Sequence, residues 1–131
     1  MLLLDTNIVS YFIYNAAWKD LYVPILRGQT LFIAFMTLAE MLEGARHRRL
    51  GDRNLRLFRE RLCTEYFILP WNEEICDRFA WVRSERRNRP ISVPDALVAA
   101  TALAYDVPLV THNTRDFEGI DELKLITEYR K

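Results

Sequence analysis

The chain opens Met1-Leu2-Leu3-Leu4-Asp5-Thr6-Asn7-Ile8. Three leucines in a row, with no polar alternation, predict a strand buried on both faces, as in a parallel sheet. A carboxylate where such a strand ends is held at the carboxyl edge of the sheet, where open α/β sheets place their ligands. One Asp decides nothing. The question is whether the chain sends other carboxylates to the same edge.

The length of 131 residues predicts one domain over 1–131, and a hydrophobic fraction of 50% is enough for a sizeable core. Lys and Arg number 18 against 18 Asp and Glu. Nucleic-acid binding would therefore rest on local patches and not on the net field. No stretch reaches the ~18 apolar residues of a membrane span, and Asp5 interrupts a start that lacks the basic region of a signal peptide. Cys63 and Cys76 form no CxxC and no Cys/His cluster. They read as reduced thiols in a cytoplasmic protein without structural zinc.

Further strands are expected at Leu31–Met36, Tyr66–Leu69, Leu109–Thr111 and a short Leu123–Ile126. Between them lie helical segments. Ile8–Tyr14 is capped by Thr6 or Asn7. A second piece around Trp18–Leu26 carries Pro24 near its start or as a kink, and Gly28 ends it. Thr37 with Glu40 has the spacing of a capping box ahead of Leu38–Ala45. Gly51-Asp52 divides the arginine-rich stretch that follows into two helices. Asn72 caps a helix to about Arg86, with Ile75, Cys76, Phe79, Ala80 and Val82 inward. Ser92-Val93-Pro94-Asp95 opens a helix whose Ala96–Ala104 is nearly all small and apolar, the most buried of the set. The alternation β-α-β-α-α-β-α-α-β-α-β predicts an α/β fold with a mainly parallel sheet of four or five strands flanked by helices.

In a βαβ unit the crossover helix runs antiparallel to the strands, so helix N-termini lie at the same edge as strand carboxyl ends. Asp5 ends the first strand, and Glu40 sits in the first turn after the second. Asp95 begins the helix before the fourth strand, and Asp116 lies just past that strand, with Asn113 beside it. Each alone also reads as a helix cap, a dipole-favoured acid or a turn residue. Four independent caps have no reason to converge. Crowded carboxylates repel unless a cation neutralises them. Hard oxygen ligands suit Mg²⁺ or Mn²⁺, which can activate water for attack on a phosphodiester. The chain has no GxxxxGK[ST], GxGxxG, GxSxG or HExxH.

Four blocks in this order carry a resemblance over nearly the whole chain: Leu3-Leu4-Asp5-Thr6-Asn7, Thr37-Leu38-Ala39-Glu40 with Gly44, Asp95–Ala102, and Thr111-His112-Asn113-Thr114-Arg115-Asp116-Phe117. The sequence resembles the PIN-domain nucleases and, within them, VapC-type toxins of toxin–antitoxin pairs. The resemblance implies a single PIN-like domain with an α/β/α sandwich. It further implies an Mg²⁺- or Mn²⁺-dependent endoribonuclease, with Asp5, Glu40, Asp95 and Asp116 as catalytic, metal-holding acids and Thr6, Asn113 and Thr111 in support. RNA as substrate, an inhibiting antitoxin, and homodimers and hetero-oligomers with that antitoxin come with it.

The basic residues from Arg46 to Arg61, and Arg83, Arg86, Arg87 and Arg89, either hold RNA phosphates or form solvated helix faces; Arg46, Arg86, Arg87 and Arg89 are the candidates for RNA. Trp18 and Tyr22 suggest a partner or dimer surface, Phe12 core, Trp71 and Trp81 packing, and His112 a loop side chain. Glu43, one turn from Glu40, is a candidate for the outer shell of the metal. Other readings stay open: a non-toxin PIN nuclease, or a catalytically silent module that binds RNA or protein. An aspartyl-phosphate enzyme would want an acid two residues after Asp5, where Asn7 stands, and a receiver-like domain a lysine after Thr111.

Overall fold

The computed structural model describes residues 1–128, so the last three residues of the expected 1–131 domain lie outside the described residues. In chain order the elements are β1 (Leu2–Leu4), α1 (Thr6–Tyr14), α2 (Ala16–Leu26), β2 (Leu31–Ala34), α3 (Phe35–His47), α4 (Asp52–Glu65), β3 (Phe67–Leu69), α5 (Glu73–Glu85), α6 (Val93–Tyr105), β4 (Leu109–Val110), α7 (Thr114–Phe117) and β5 (Leu125–Ile126). The five strands form one sheet in the order β3-β2-β1-β4-β5, and every pairing is parallel.

The leucine run is the central strand, and all three residues are buried. Alternation along it feeds two cores. Leu3, with Ala34 and Leu109, faces a cluster with Val82 of α5 and Ala96, Ala99 and Leu103 of α6. Leu2 and Leu4, with Ile33 and Val110, face Ile8, Tyr22, Met41 and Leu62 of α1 to α4. The sheet is thus covered on both faces, as an α/β/α sandwich requires. The run of small residues makes α6 the most buried helix, with seven buried residues from Ala96 to Leu103.

Several boundaries differ from the sequence expectation. Strand β2 stops at Ala34 because α3 begins at Phe35, with Ala34 as an N-cap that makes no side-chain bond. Thr37 therefore lies inside the first turn, fully buried, and caps nothing. The N-cap of α1 is Asp5 itself, one residue earlier than expected. Pro24 falls in the last turn of α2, not near its start. On α5, Ile75 and Val82 are buried, but Cys76 and Ala80 are exposed. Trp81 packs against the core, whereas Trp71 is 54% exposed.

The chain runs outward from β1 through β2 to β3, then returns to place β4 on the other side of β1. The junction of β1 and β4 is where strand order reverses, the position at which open α/β sheets bind ligands.

Candidate active site

Asp5 and Thr111 directly follow the two strands that meet at this reversal. The Asp5 backbone N–H donates to the Val110 carbonyl at 2.9 Å, which fixes the residue to the end of the ladder. The residue is only 5% exposed. Oδ1 accepts the Thr6 N–H at 2.8 Å and Oδ2 accepts the Thr111 hydroxyl at 2.8 Å. Thr111 Oγ1 accepts in turn from the Asn113 backbone N–H at 3.1 Å. Asn113 thus supports the site through its main chain.

Thr6 holds the second acid. Its hydroxyl donates to Glu40 Oε1 at 2.7 Å and lies 3.1 Å from Thr37 Oγ1. A hydroxyl has one proton. Thr6 gives it to the nearer and charged partner, and Thr37 donates to Thr6. Thr37 is therefore a member of the site that a cap reading hides. Asp95 follows Ser92, the N-cap of α6, whose hydroxyl accepts the Asp95 N–H at 3.2 Å. The first turn of α6 presents the positive end of its dipole to the acids.

The electrostatics tie these positions together. Burial pushes the Asp5 carboxyl up from 3.8 to about 7, with the Asp95 and Glu40 charges adding to the rise and the Thr111 and Thr6 hydrogen bonds opposing it. Burial also raises Glu40, reinforced by Asp95 and Glu43 and opposed by the Thr6 hydroxyl. Asp95 is raised by burial, and Asp116 adds to it. Asp5, Glu40 and Asp95 therefore feel one another's charge. Asp116 is exposed and couples to Asp95 alone of the three, at the margin of the group.

Arg86 explains where Asp116 sits. It is buried, with Nε donating to the Arg89 carbonyl at 2.9 Å and Nη1 to the carbonyls of Asp116 at 3.2 Å and Glu118 at 3.1 Å. The expectation of an RNA-facing Arg86 is corrected: its guanidinium is occupied in clamping the α7 loop from inside. Arg89 is drawn to the same loop, donating to the Arg115 carbonyl and lying 3.6 Å from the Glu118 carboxylate. Arg46 and Arg87 are exposed. Arg46 borders a depression with Asp52, Leu55, Arg56 and Arg59 that contains none of the four acids. A cavity of about 510 Å³ lies beside Asp106, Val107 and Lys124 at the amino-terminal edge, away from the four acids.

His112, expected as a loop side chain, is built into an aromatic nest. Tyr22 Oη lies 2.7 Å from its Nδ1, and the rings of Trp18 and Tyr11 stand edge-on at 4.3 and 5.7 Å. Tyr22 is fully buried, so it belongs to the core and not to a partner surface. The His112 N–H points to Asn7 Oδ1 at 3.5 Å. No local pattern foretells a contact 90 positions apart in sequence.

Among the described residues, no three His, Cys, Asp or Glu side chains close around a common point as a formed cation cage. The donors nonetheless fit a hard divalent cation. They are carboxylate oxygens gathered at one edge, and their shared charge penalty is what such an ion relieves. Mg²⁺ retains several waters and needs few protein ligands.

The PIN domain family matches residues 2–123. Ribonuclease VapC1 of Haemophilus influenzae strain R2866 is 30% identical over 126 residues, covering 93% of each chain. The tRNA(fMet)-specific endonuclease VapC of Shigella flexneri is 29% identical, again over 93% of each. Among solved structures, VapBC-1 from nontypeable Haemophilus influenzae superimposes with a TM-score of 0.81 at 28% identity, over 96% of each chain.

Proposed function

This chain belongs to the PIN-domain family, and from that premise we propose that it is a divalent-cation-dependent endoribonuclease of VapC type, restrained by a cognate antitoxin. One observation carries the reading. The buried Asp5 carboxylate, bonded across the strand reversal to Thr111, shares its electrostatic field with Glu40 and Asp95. The relatives named as ribonucleases and the VapBC complex that shares the fold support RNA as substrate and an antitoxin as partner. Homodimers, and hetero-oligomers with the antitoxin, belong to the same proposal.

Asp5, Glu40 and Asp95 would hold Mg²⁺ or Mn²⁺, with Asp116 contributing from the margin. Such an ion supplies charge neutralisation at a phosphate oxygen and an acidified water as nucleophile. The chain supplies the rest. Thr111 and Thr6 N–H fix both oxygens of Asp5, so its free lone pairs keep one direction. Thr6, backed by Thr37, fixes Glu40. The N-terminus of α6 favours negative charge where the phosphate would sit. No Ser, Cys or His is required as a nucleophile, and the resulting cut would leave a 5′-phosphate and a 3′-hydroxyl.

The test is incubation of antitoxin-free protein with total RNA, with Mn²⁺ or with a chelator, followed by end mapping. Discrete cuts with those ends, absent with chelator and in Asp5→Asn, are expected. Absence of cation-dependent cutting of any tRNA, rRNA or mRNA would overturn the proposal in favour of a silent binding module.

A further inference from the structure

One groove leads out of the acid site and is not accounted for by it. It lies between α1 and α3, holds about 270 Å³, and is lined by Thr6, Ser10 and Tyr14 on one side and Glu40, Gly44 and Arg48, with Met41, Glu43 and His47, on the other. The spacing explains the lining. Thr6, Ser10 and Tyr14 are four apart on α1, and Glu40, Gly44 and Arg48 are four apart on α3, so two helix faces oppose each other. Thr6 and Glu40 at one end are hydrogen-bonded members of the acid site.

The other end has different chemistry. The Arg48 guanidinium lies 4.6 Å over the Tyr14 ring and 5.9 Å from that of Phe58, and makes no ion pair among the described residues. Arg48 Nη1 lies 3.5 Å from where a Cβ on Gly44 would stand, an ordinary contact distance that places the guanidinium one turn back along the helix. Arg48 thus folds back along α3 toward the acids. Tyr14 remains 52% exposed, and His47 lies beside the pair, also exposed. A cation next to an exposed aromatic ring is the pairing that holds single-stranded nucleic acid, the cation on a phosphate and the ring under a base. The α-helical rise separates the backbones of Arg48 and Glu40 by about 12 Å along α3, and the folded-back guanidinium lies nearer, about one turn less. At a stacked rise of about 3.4 Å that span is about two to three nucleotides. The negative Glu40 and Glu43 at the acid end disfavour a phosphate there without a cation, whereas the Arg48 end accepts one.

We infer that the α1–α3 groove is a single-stranded RNA subsite, in which Arg48 holds a phosphate and Tyr14 stacks a base a few nucleotides from the cut. This rests on the endoribonuclease reading and gives it a strand path. An acidic protein tail could use the same cation, but the exposed ring and the continuity with the acids favour RNA.

The test uses full-length Asp5→Asn protein, expected to hold RNA without cutting it, and a short end-labelled single-stranded RNA of mixed sequence. Arg48→Gln should lower the slope of log affinity against log salt by about 0.7, as expected for one lost phosphate contact. Arg27→Gln, an equal charge change on an exposed residue outside the groove, should leave the slope unchanged. Tyr14→Ala should weaken binding about five-fold or more. Gly44→Gln, which puts a side chain into the groove without a backbone clash, should weaken binding and slow cutting in the otherwise wild-type protein. If wild-type protein cuts RNA while these variants bind and cut like it, the subsite is refuted and the groove belongs to a protein tail. A wild-type protein that does not cut RNA refutes the endoribonuclease reading instead.

Discussion

Replacing Asp5 by Asn should make the protein more stable while removing its activity. The carboxyl is almost fully buried, and its pKa rises from 3.8 to about 7 on folding. Below pH 3.8 both states are protonated and the group makes no difference. Between 3.8 and 7 the folded state keeps a proton that the unfolded state has lost, so stability falls as pH rises. Above 7 both states are ionised and the penalty is constant. At about 1.4 kcal/mol per pH unit it reaches about 4 kcal/mol. Asparagine resembles the protonated acid: its oxygen can still accept the Thr6 N–H, but its amide meets Thr111 imperfectly, at a cost of about 1 kcal/mol. The net gain should be about 3 kcal/mol at pH 8 and less than about 1 kcal/mol at pH 5. Urea unfolding followed by far-ultraviolet circular dichroism, in chelator at the two pH values, measures this. Saturating Mg²⁺ should narrow the gap, since a ligand of the folded state stabilises wild type and not the variant. A gain that is absent at pH 8, or equal at both pH values, would refute the electrostatic account of the site.

Thr111→Val removes the hydroxyl that donates to Asp5 and accepts from the Asn113 N–H. It should raise the Asp5 pKa further, move the acid limb of the cleavage pH profile upward, and slow cutting at pH 7 about ten-fold. Arg86→Met leaves the Asp116 and Glu118 carbonyls at α7 and the Arg89 carbonyl before α6 without their donor; urea denaturation should show a loss of about 2–4 kcal/mol. Tyr22→Phe removes the 2.7 Å bond to His112 Nδ1, and its unfolding free energy should fall by about 1 kcal/mol.

What the sequence disclosed and what it hid follow from the range of the interactions. An unbroken leucine run ending in Asp5 announces a central parallel strand and the edge to which its carboxylate is tied. The direction of crossover helices then places Glu40 and Asp95 beside it without knowledge of any contact. The capping-box pattern at Thr37 misleads because it is local, whereas β2 passes into α3 without a capping side chain and turns the hydroxyl inward to Thr6. Arg86 looks like a surface cation because charge in a basic stretch carries no mark of burial. Its partners, the carbonyls of Asp116 and Glu118, belong to a loop about 30 residues away. Tyr22 has the same difficulty, since its partner His112 lies across the sheet in sequence terms. Where strand direction alone places a residue, the chain is legible; where a side chain's partner comes from a distant loop, it is not.

The claim that the acids assemble as a divalent-cation site is tested most directly by titrating Mn²⁺ into the protein at pH 7 in a calorimeter, in two buffers of different ionisation enthalpy. Wild type should bind the ion and release protons as it does so, because Asp5 with a pKa of about 7 is part-protonated beforehand. Asp5→Asn and Asp95→Asn should lose most of the affinity, and Asp5→Asn the proton release as well. Wild-type binding no tighter than that of Asp5→Asn, with heats that do not depend on the buffer, would contradict the account.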